Sequence, residues 1–115
     1  MDIITAREFC LSLPHSEEGF PFDDQTLVFK VGGKLFALIA LDAEPAIALK
    51  CDPELAIALR EEFDAVQPGY HLSKKHWNTV LLNDTIPSDT IKEWIVHSYN
   101  LVKKGLPKKV QLSMK

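Results

Sequence analysis

Alternating apolar and polar residues predict a β-hairpin between residues 26 and 41. The runs TLVFKV and KLFALIAL are rich in β-branched and aromatic residues, and they flank Gly32 and Gly33. Two glycines supply the positive φ angles that a two-residue hairpin turn requires. This turn places Lys30 opposite Leu35 on one face of the hairpin. It places three pairs on the other, apolar face: Val31–Lys34, Phe29–Phe36 and Leu27–Leu38.

Apolar residues at helical spacing predict three helices, of which the first lies near the N-terminus. This helix ends at Pro14. It begins either with a capping box formed by Thr5 and Glu8 or, one turn earlier, with Asp2 as the N-cap. Both beginnings turn Phe9 toward the interior.

The second and third helices are marked by the residues at their ends. Asp52 is a typical N-cap residue and Pro53 a typical first helical residue, and this helix ends near residue 64. The third helix covers residues 87–104, and its apolar stripe faces the interior. Gly105 follows it at the C-cap. A short tail, KKVQLSMK, ends the chain.

Two more strands complete the predicted sheet, PAIALKC at residues 45–51 and HWNTVLL at residues 76–82. The order is therefore a helix, three to four strands, a helix, a strand and a long C-terminal helix. This order predicts an α+β fold in which helices pack on one face of an antiparallel β-sheet. The opposite face of the sheet stays open, and the hairpin register assigns four residues to it: Val28, Leu35, Ala37 and Ile39.

The composition is that of one folded domain covering residues 1–115. Apolar residues make up 46% and charged residues 25% of the chain, which excludes a disordered protein. Cys10 and Cys51 lack the C-x-x-C spacing and are expected to be free thiols in a reducing compartment. The N-terminus lacks the apolar run of a signal peptide, and no segment reaches the length of a membrane span. We therefore expect a cytoplasmic protein that does not contact a membrane.

Charge is distributed unevenly along the chain, although the net charge is only −3. Residues 1–29 carry six acidic side chains and one basic side chain, whereas residues 97–115 carry five lysines and no acid. The stretch GYHLSKKHWNTV, residues 69–80, also lacks acids and combines two lysines with histidine, tyrosine, tryptophan and asparagine. The net value therefore does not describe the faces of the molecule, and the basic segments are candidate contacts for a polyanion.

Several motifs, in this order and with natural spacing, resemble the MmcQ/YjbR family. They are CLSLP, FPF at residues 20–22, TLVFKVGGKLFALI, LKCDPE, PGYHLSKKHWNTV and HSYNLVKKGLPKK, and together they cover nearly the whole chain. The resemblance implies a CyaY-like, frataxin-related α+β fold, in agreement with the layers predicted from periodicity. It also implies DNA binding through a double wing of β-hairpins.

In this interpretation, two lysine-bearing hairpin tips contact the phosphates of double-stranded DNA. Lys30 and Lys34 bracket the first tip, and Lys74 and Lys75 lie in the turn of the second. The remaining candidates are three side chains after that turn and two lysines of the tail: His76, Trp77, Asn78, Lys108 and Lys109. Binding of this kind releases counterions and weakens strongly as salt is added.

Two alternatives remain open. Lysines at strand edges also prevent edge-to-edge aggregation, and each of them alone fits a solvated surface. Alternatively, the apolar open face of the sheet binds a protein partner, a small ligand or a second copy of the chain. The residues that would carry this contact are Tyr70, Trp77, Val28, Leu35 and Ile39. An apolar interface persists at high salt, whereas phosphate contacts are lost.

No motif of catalysis or cofactor binding stands out in the sequence. The histidines and cysteines lack the spacing of a metal site, and there is no phosphate-binding glycine loop. A nucleophilic Cys–His pair would require Cys10 or Cys51 beside a histidine, which a sequence does not establish. We therefore expect a non-enzymatic binding protein that uses no metal and no cofactor.

Overall fold

Six strands and four helices make up the part of the chain that the structure, a computed structural model, describes: residues 1–69 and 72–114. The strands are β1 (Ser16–Gly19), β2 (Thr26–Val31), β3 (Lys34–Ala40), β4 (Ala46–Lys50), β5 (Val66–Pro68) and β6 (Trp77–Leu81). The helices are α1 (Ile3–Ser12), α2 (Pro53–Glu62), α3 (Ser88–Lys104) and α4 (Lys108–Ser113). The strands form one antiparallel sheet in the order β1-β2-β3-β4-β6-β5. The predicted α+β fold is confirmed.

The helices cover one face of the sheet, and the core lies between the two layers. α3 crosses the middle of that face over β2, β3 and β4, while α1 packs beside β1 and α2 beside β5 and β6. The largest fully enclosed side chains come from β2, β3, β4 and α3, and include Phe29, Phe36, Ile39, Ile47, Ile91 and Ile95. Burying each side chain of this size stabilises the fold by about 1.5–3 kcal/mol, so this layer provides the main driving force for folding.

A β-bulge interrupts the predicted hairpin register. The two pairs nearest the turn form as predicted, Val31–Lys34 and Lys30–Leu35. The register then shifts, and the next pairs are Phe29–Ala37 and Leu27–Ile39. The predicted pairs Phe29–Phe36 and Leu27–Leu38 are therefore wrong, because Phe36 is an extra residue in β3.

The bulge also changes which residues of β3 face the helices. Ala37 and Ile39 turn inward and are fully buried, so the prediction that they lie on the open face is wrong. Leu38 and Ala40 take the outer positions instead. Val28 lies opposite Leu38 on the outer side, as predicted, but it is only 1% exposed because the chain before β2 lies beside it.

The Ser98 hydroxyl of α3 completes the sheet at the bulge. Its Oγ donates to the Phe36 carbonyl oxygen at 2.6 Å and accepts from the Lys50 backbone N–H at 2.9 Å. Because Ala37 pairs with Leu49, Phe36 and Lys50 are neighbours across β3 and β4. The fully buried hydroxyl therefore joins two backbone groups beside the bulge that would otherwise need partners in a dry interior.

α1 begins at the earlier of its two predicted N-termini. Asp2 is the N-cap, and its Oδ1 accepts from the Thr5 N–H at 2.7 Å. The longer helix is therefore confirmed, and the capping box of Thr5 and Glu8 is wrong. Asp52 caps α2 as predicted, with Pro53 as the first helical residue. The short tail expected at the C-terminus contains the additional helix α4.

The β2–β3 turn packs against the segment that joins α3 to α4. Gly32 and Gly33 have φ angles of 58° and 80°, as the predicted turn requires. A Cβ atom at Gly32 would collide with the Leu106 side chain and lie 3.2 Å from Val110 of α4, whereas a Cβ atom at Gly33 would meet open space. The start of α4 is therefore held at the tip of this hairpin.

We predict that Ser98→Ala lowers the free energy of unfolding by about 2–4 kcal/mol, because a buried carbonyl and a buried N–H each lose a partner at about 1–3 kcal/mol. Urea denaturation followed by circular dichroism measures the change. Ser73→Ala removes an exposed hydroxyl and is the control, with an expected change within about 0.5 kcal/mol. An equal loss in both variants would contradict the bridging role of Ser98.

We predict that Gly32→Ala lowers the melting temperature more than Gly33→Ala. Both changes impose a positive φ angle on alanine at about 1–2 kcal/mol, but only the change at Gly32 also collides with Leu106. Gly19→Ala, where no atom lies within 4 Å of the added Cβ, is the neutral control. Differential scanning calorimetry of the three variants measures the effect. Equal melting temperatures for the Gly32 and Gly33 variants would show that Leu106 does not rest on the turn.

Candidate functional site

The antiparallel strands give the sheet two ends of different character. At one end, β2 passes into β3 through the two-glycine turn, β4 ends at Lys50 and β6 begins at Trp77. We term this the hairpin end. At the opposite end, which we term the far end, β2 begins at Thr26 and β4 begins at Ala46. Loops and helix termini therefore fall into two groups according to the end at which they lie.

Lysine side chains collect at the hairpin end. The β2–β3 turn, the end of β4 and the loop before β6 all lie there, together with the C-terminus of α3 and the start of α4. α3 has this direction because Tyr99 packs edge-on against Phe36 and Leu106 covers Gly32. The nine lysines of these segments are Lys30, Lys34, Lys50, Lys74, Lys75, Lys103, Lys104, Lys108 and Lys109.

This lysine cluster is open to solvent and its charge is not neutralised by direct ion pairs. Six of the nine lysines are exposed and three are half-buried. Over the described residues 1–69 and 72–114, the ion pairs are Arg7–Glu18 and the Met1 amino group with Asp84, so neither involves the cluster. The positive charge of the hairpin end is therefore directed outward.

Acidic side chains collect at the far end of the sheet. They lie in the loops before β2, β4 and β5 and after β6, at the N-termini of α1 and α3, and at the C-terminus of α2. These ten acids are Asp2, Asp23, Asp24, Asp42, Glu44, Glu61, Glu62, Asp64, Asp84 and Asp89. The acids at the hairpin end are Glu17, opposite Lys30, and Asp52 and Glu54 at the start of α2. The molecule thus has a basic end and an acidic end.

Hydrogen bonds hold the lysine-bearing turn at residues 73–75 in place. The Arg60 guanidinium of α2 donates to the Lys74 carbonyl oxygen at 3.0 Å. The His76 carbonyl oxygen accepts from the Cys51 N–H at 2.8 Å, which ties the end of the turn to the end of β4. The Lys74 and Lys75 side chains are therefore exposed on a backbone that is fixed on both sides.

Two residues predicted to contact DNA are buried. Asn78 is 3% exposed, faces the helices and donates from Nδ2 to the Ala56 carbonyl oxygen at 3.2 Å. Trp77 is 9% exposed, and its carbonyl oxygen accepts from the Gly69 N–H at 3.2 Å. The structure therefore corrects the prediction that these two side chains reach a nucleic acid. His76 is exposed, as a contact residue must be. Tyr70, predicted as a contact of the open face, lies outside the described residues.

The open face of the sheet forms an apolar groove of about 600 Å³. Its floor consists of outward side chains from β3, β4 and β6: Leu38, Ala40, Ala46, Ala48, Thr79 and Leu81. Phe22 and Leu72 line its sides, and Asp23 and Glu44 contribute charged groups at the far end. The groove is apolar, but it is lined by residues other than the predicted Val28, Leu35 and Ile39, and Ile39 faces the core because of the bulge.

Cys51 and His97 line one small cavity but are not arranged as a nucleophile and its base. The His97 Nε2 atom accepts from the Asp52 N–H at 3.3 Å. Burial raises the pKa of the Cys51 thiol to about 11 and that of the Cys10 thiol to about 12. An activated cysteine requires a lowered pKa. These thiols therefore have the properties of core side chains.

The described residues form neither a metal site nor a membrane-spanning helix. No group of three or more histidine, cysteine, aspartate or glutamate side chains is placed to hold a metal ion there. None of the helices in this part of the chain has the length and apolar character needed to cross a membrane. The lysine cluster and the apolar groove are therefore the two surfaces that suggest a function.

We predict that both thiols of the folded protein react slowly with a chromogenic disulfide reagent. At about pH 8 an ordinary thiol is roughly a quarter ionised, whereas a thiol with a pKa near 11 carries roughly two orders of magnitude less thiolate. Raising the pH toward the folded pKa increases the thiolate fraction and hence the rate. The urea-unfolded protein is the control and should react at the ordinary rate. Rapid reaction of the folded protein at about pH 8 would contradict the raised pKa values.

A protein-family model and several relatives match this chain. The YjbR family model matches residues 11–101. The chain is 39% identical to the protein YbdF of Escherichia coli O157:H7 over 108 residues, which covers 93% of this chain and 88% of YbdF. It is 34% identical to YjbR of Escherichia coli strain K12 over 108 residues, which covers 93% of this chain and 92% of YjbR.

Solved structures have the same fold. The crystal structure of a Deinococcus radiodurans protein matches with a TM-score of 0.91 and 43% identity, covering 99% of this chain and 88% of that chain. The crystal structure of a Pseudomonas syringae protein matches with a TM-score of 0.77 and 26% identity, covering 89% of this chain and 99% of that chain. The one-sided α+β architecture is therefore shared with experimentally determined structures.

Proposed function

We propose that the hairpin end of this chain binds the backbone of double-stranded DNA, because the chain belongs to the YjbR family and resemblance to that family implies contact with DNA through strand tips. The observation that carries the proposal is the charge separation along the strands, with nine lysines at the hairpin end and ten acids at the far end. Clustered lysines attract the phosphates of any base sequence. The acidic end favours an orientation in which it points away from the duplex.

The spacing of the two hairpins supports this proposal. The β2–β3 turn carries Lys34, and the loop between β5 and β6 carries Lys74 and Lys75. The centres of these two hairpins are three strand spacings apart in the sheet order, which is roughly 14 Å. This separation is comparable with the width of the major groove, about 12 Å. The two tips are thus spaced to contact phosphates on both sides of one groove.

The C-terminal segment supplies a third group of positive charges beside the first tip. Lys108 and Lys109 begin α4, which is held there by the contact of Leu106 with Gly32. They act from a helix, where the sequence analysis expected only a short tail. The exposed imidazole of His76 adds a hydrogen-bond donor beside the second tip.

Asn78 has a positioning role in this proposal. Asn78 binds the Ala56 carbonyl oxygen of α2, and the same helix holds the Lys74 carbonyl through Arg60. The buried amide thereby fixes the helix from which the second tip is held. Because the proposed contacts are lysines directed at phosphates, binding is expected to show little preference for base sequence.

We predict that a fluorescently labelled random duplex binds this protein and that affinity falls steeply between about 50 mM and about 200 mM salt. Each phosphate contact contributes about 0.9 to the slope of log affinity against log salt, so Lys74→Ala/Lys75→Ala should reduce that slope by roughly 2. Lys34→Ala should reduce it by roughly 1. Fluorescence anisotropy across a salt series measures the slope for the wild-type protein and for both variants.

Lys92→Ala is the matched control for these variants. Lys92 lies in α3 outside the cluster, with its ammonium group over the Phe9 ring. Its removal should leave the salt slope unchanged. Absence of binding at low salt, or an equal loss of affinity in the Lys92 variant, would overturn the proposal.

A further inference from the structure

The open face of the sheet has the composition of an interface. Its groove floor presents Leu38, Leu81 and three alanines, and the neighbouring Phe20 and Phe22 are 49% and 68% exposed. Large aromatic side chains beside a continuous apolar surface are uncommon on monomeric proteins and mark sites of association. This face lies on the side of the sheet away from the helices, so it is separate from the core.

The same face carries both a protrusion and a recess. Phe22 is an exposed aromatic ring at the side of the groove. On the floor, Ala40, Ala46 and Ala48 have no side-chain atoms beyond Cβ, which leaves room above the sheet. A two-fold contact is isologous, so two such faces meet with the same apolar floor and the same exposed ring contributed by each copy.

Charge at the two ends of the face selects one orientation of the second copy. Lys50 lies on the outer side of β4 at the hairpin end, since the adjacent Leu49 is in the core. Glu44 lines the groove at the other end of the same strand. Consider a two-fold axis that lies in the plane of contact and runs across the strands at right angles. This axis places each strand over its own copy in the antiparallel direction. Lys50 then faces the partner subunit's Glu44, and Lys30 faces the partner subunit's Asp23.

We infer that two copies of this chain dock through their open sheet faces, with strands antiparallel and the basic end of each copy beside the acidic end of the other. Rotation about an axis parallel to the strands is disfavoured, because it would bring lysines against lysines and acids against acids. Sheets that pack face to face lie about 10 Å apart with their strands within about 30° of each other.

The size of the face predicts the strength of this dimer. Six strands span about 25 Å and average five residues, or about 17 Å, in length, which gives a flat contact area on the order of 400 Å² per copy. Stable complexes bury about 800 Å² per partner, and transient complexes bury less. The expected dimer is therefore concentration-dependent and dissociates on dilution.

Sedimentation velocity of the whole chain, without DNA, tests this inference across a dilution series that extends to the highest soluble concentration. We expect conversion from monomer to dimer as concentration rises. Ala48→Glu introduces a carboxylate at the centre of the groove floor and should abolish the dimer. Ile57→Glu is the matched control, because Ile57 is 52% exposed on α2, and it should leave the dimer unchanged. Circular dichroism establishes that both variants fold.

A charge exchange tests the orientation and does not depend on the floor variant. Lys50→Glu and Glu44→Lys should each weaken dimerisation roughly tenfold, because each places like charges opposite one another. The two changes combined in one chain should restore the wild-type dissociation constant. A protein that stays monomeric at every concentration would overturn the inference and leave the groove to a different apolar ligand. The inference would also be overturned by a dimer that persists in the Ala48→Glu variant. It would be overturned as well if the double variant did not restore the dissociation constant that the single variants weaken.

Discussion

The Ser98 hydroxyl between β3 and β4 is the contact on which the rest of the structure depends. It allows β3 to contain an extra residue while the backbone groups beside the bulge keep hydrogen-bond partners. The same contact fixes α3 over the middle of the sheet, and the direction of α3 decides where its C-terminal lysines and α4 lie. One buried hydroxyl thereby connects the choice of core residues with the location of the basic end.

Features set by neighbouring residues could be predicted from the sequence, and features set by distant contacts could not. The two-glycine turn, the Asp52 cap and the long third helix depend on local chemistry, and all three were predicted. The bulge depends on Ser98, which is 62 residues away from Phe36, and on the edge-on contact of Phe36 with Tyr99. Nothing in the alternation of β3 indicates an extra residue. Ile39 was consequently assigned to the wrong face.

The candidate site was predicted in part, for a related reason. The lysines at the two turns were identified because turns expose their side chains, whereas Lys50, Lys103 and Lys104 join them only once the strand order and the direction of α3 are known. The burial of Asn78 could have been predicted from the sequence, because Asn78 and the apolar Val80 are two residues apart in one strand and therefore share a face. Its Nδ2 group donates to a helix carbonyl, whereas its Oδ1 atom is buried with no hydrogen-bond partner among the described residues.

The separation of charge along the strands makes the molecule a large electric dipole, and its isoelectric point near 5.8 says little about how it behaves near a charged surface. At neutral pH a protein built this way can adhere to cation-exchange and anion-exchange resins alike, turning one end or the other toward the matrix. Its encounters with any polyelectrolyte begin with rotation, before contact is made. Orientation is thus determined by the topology of the sheet and not by the total number of charges.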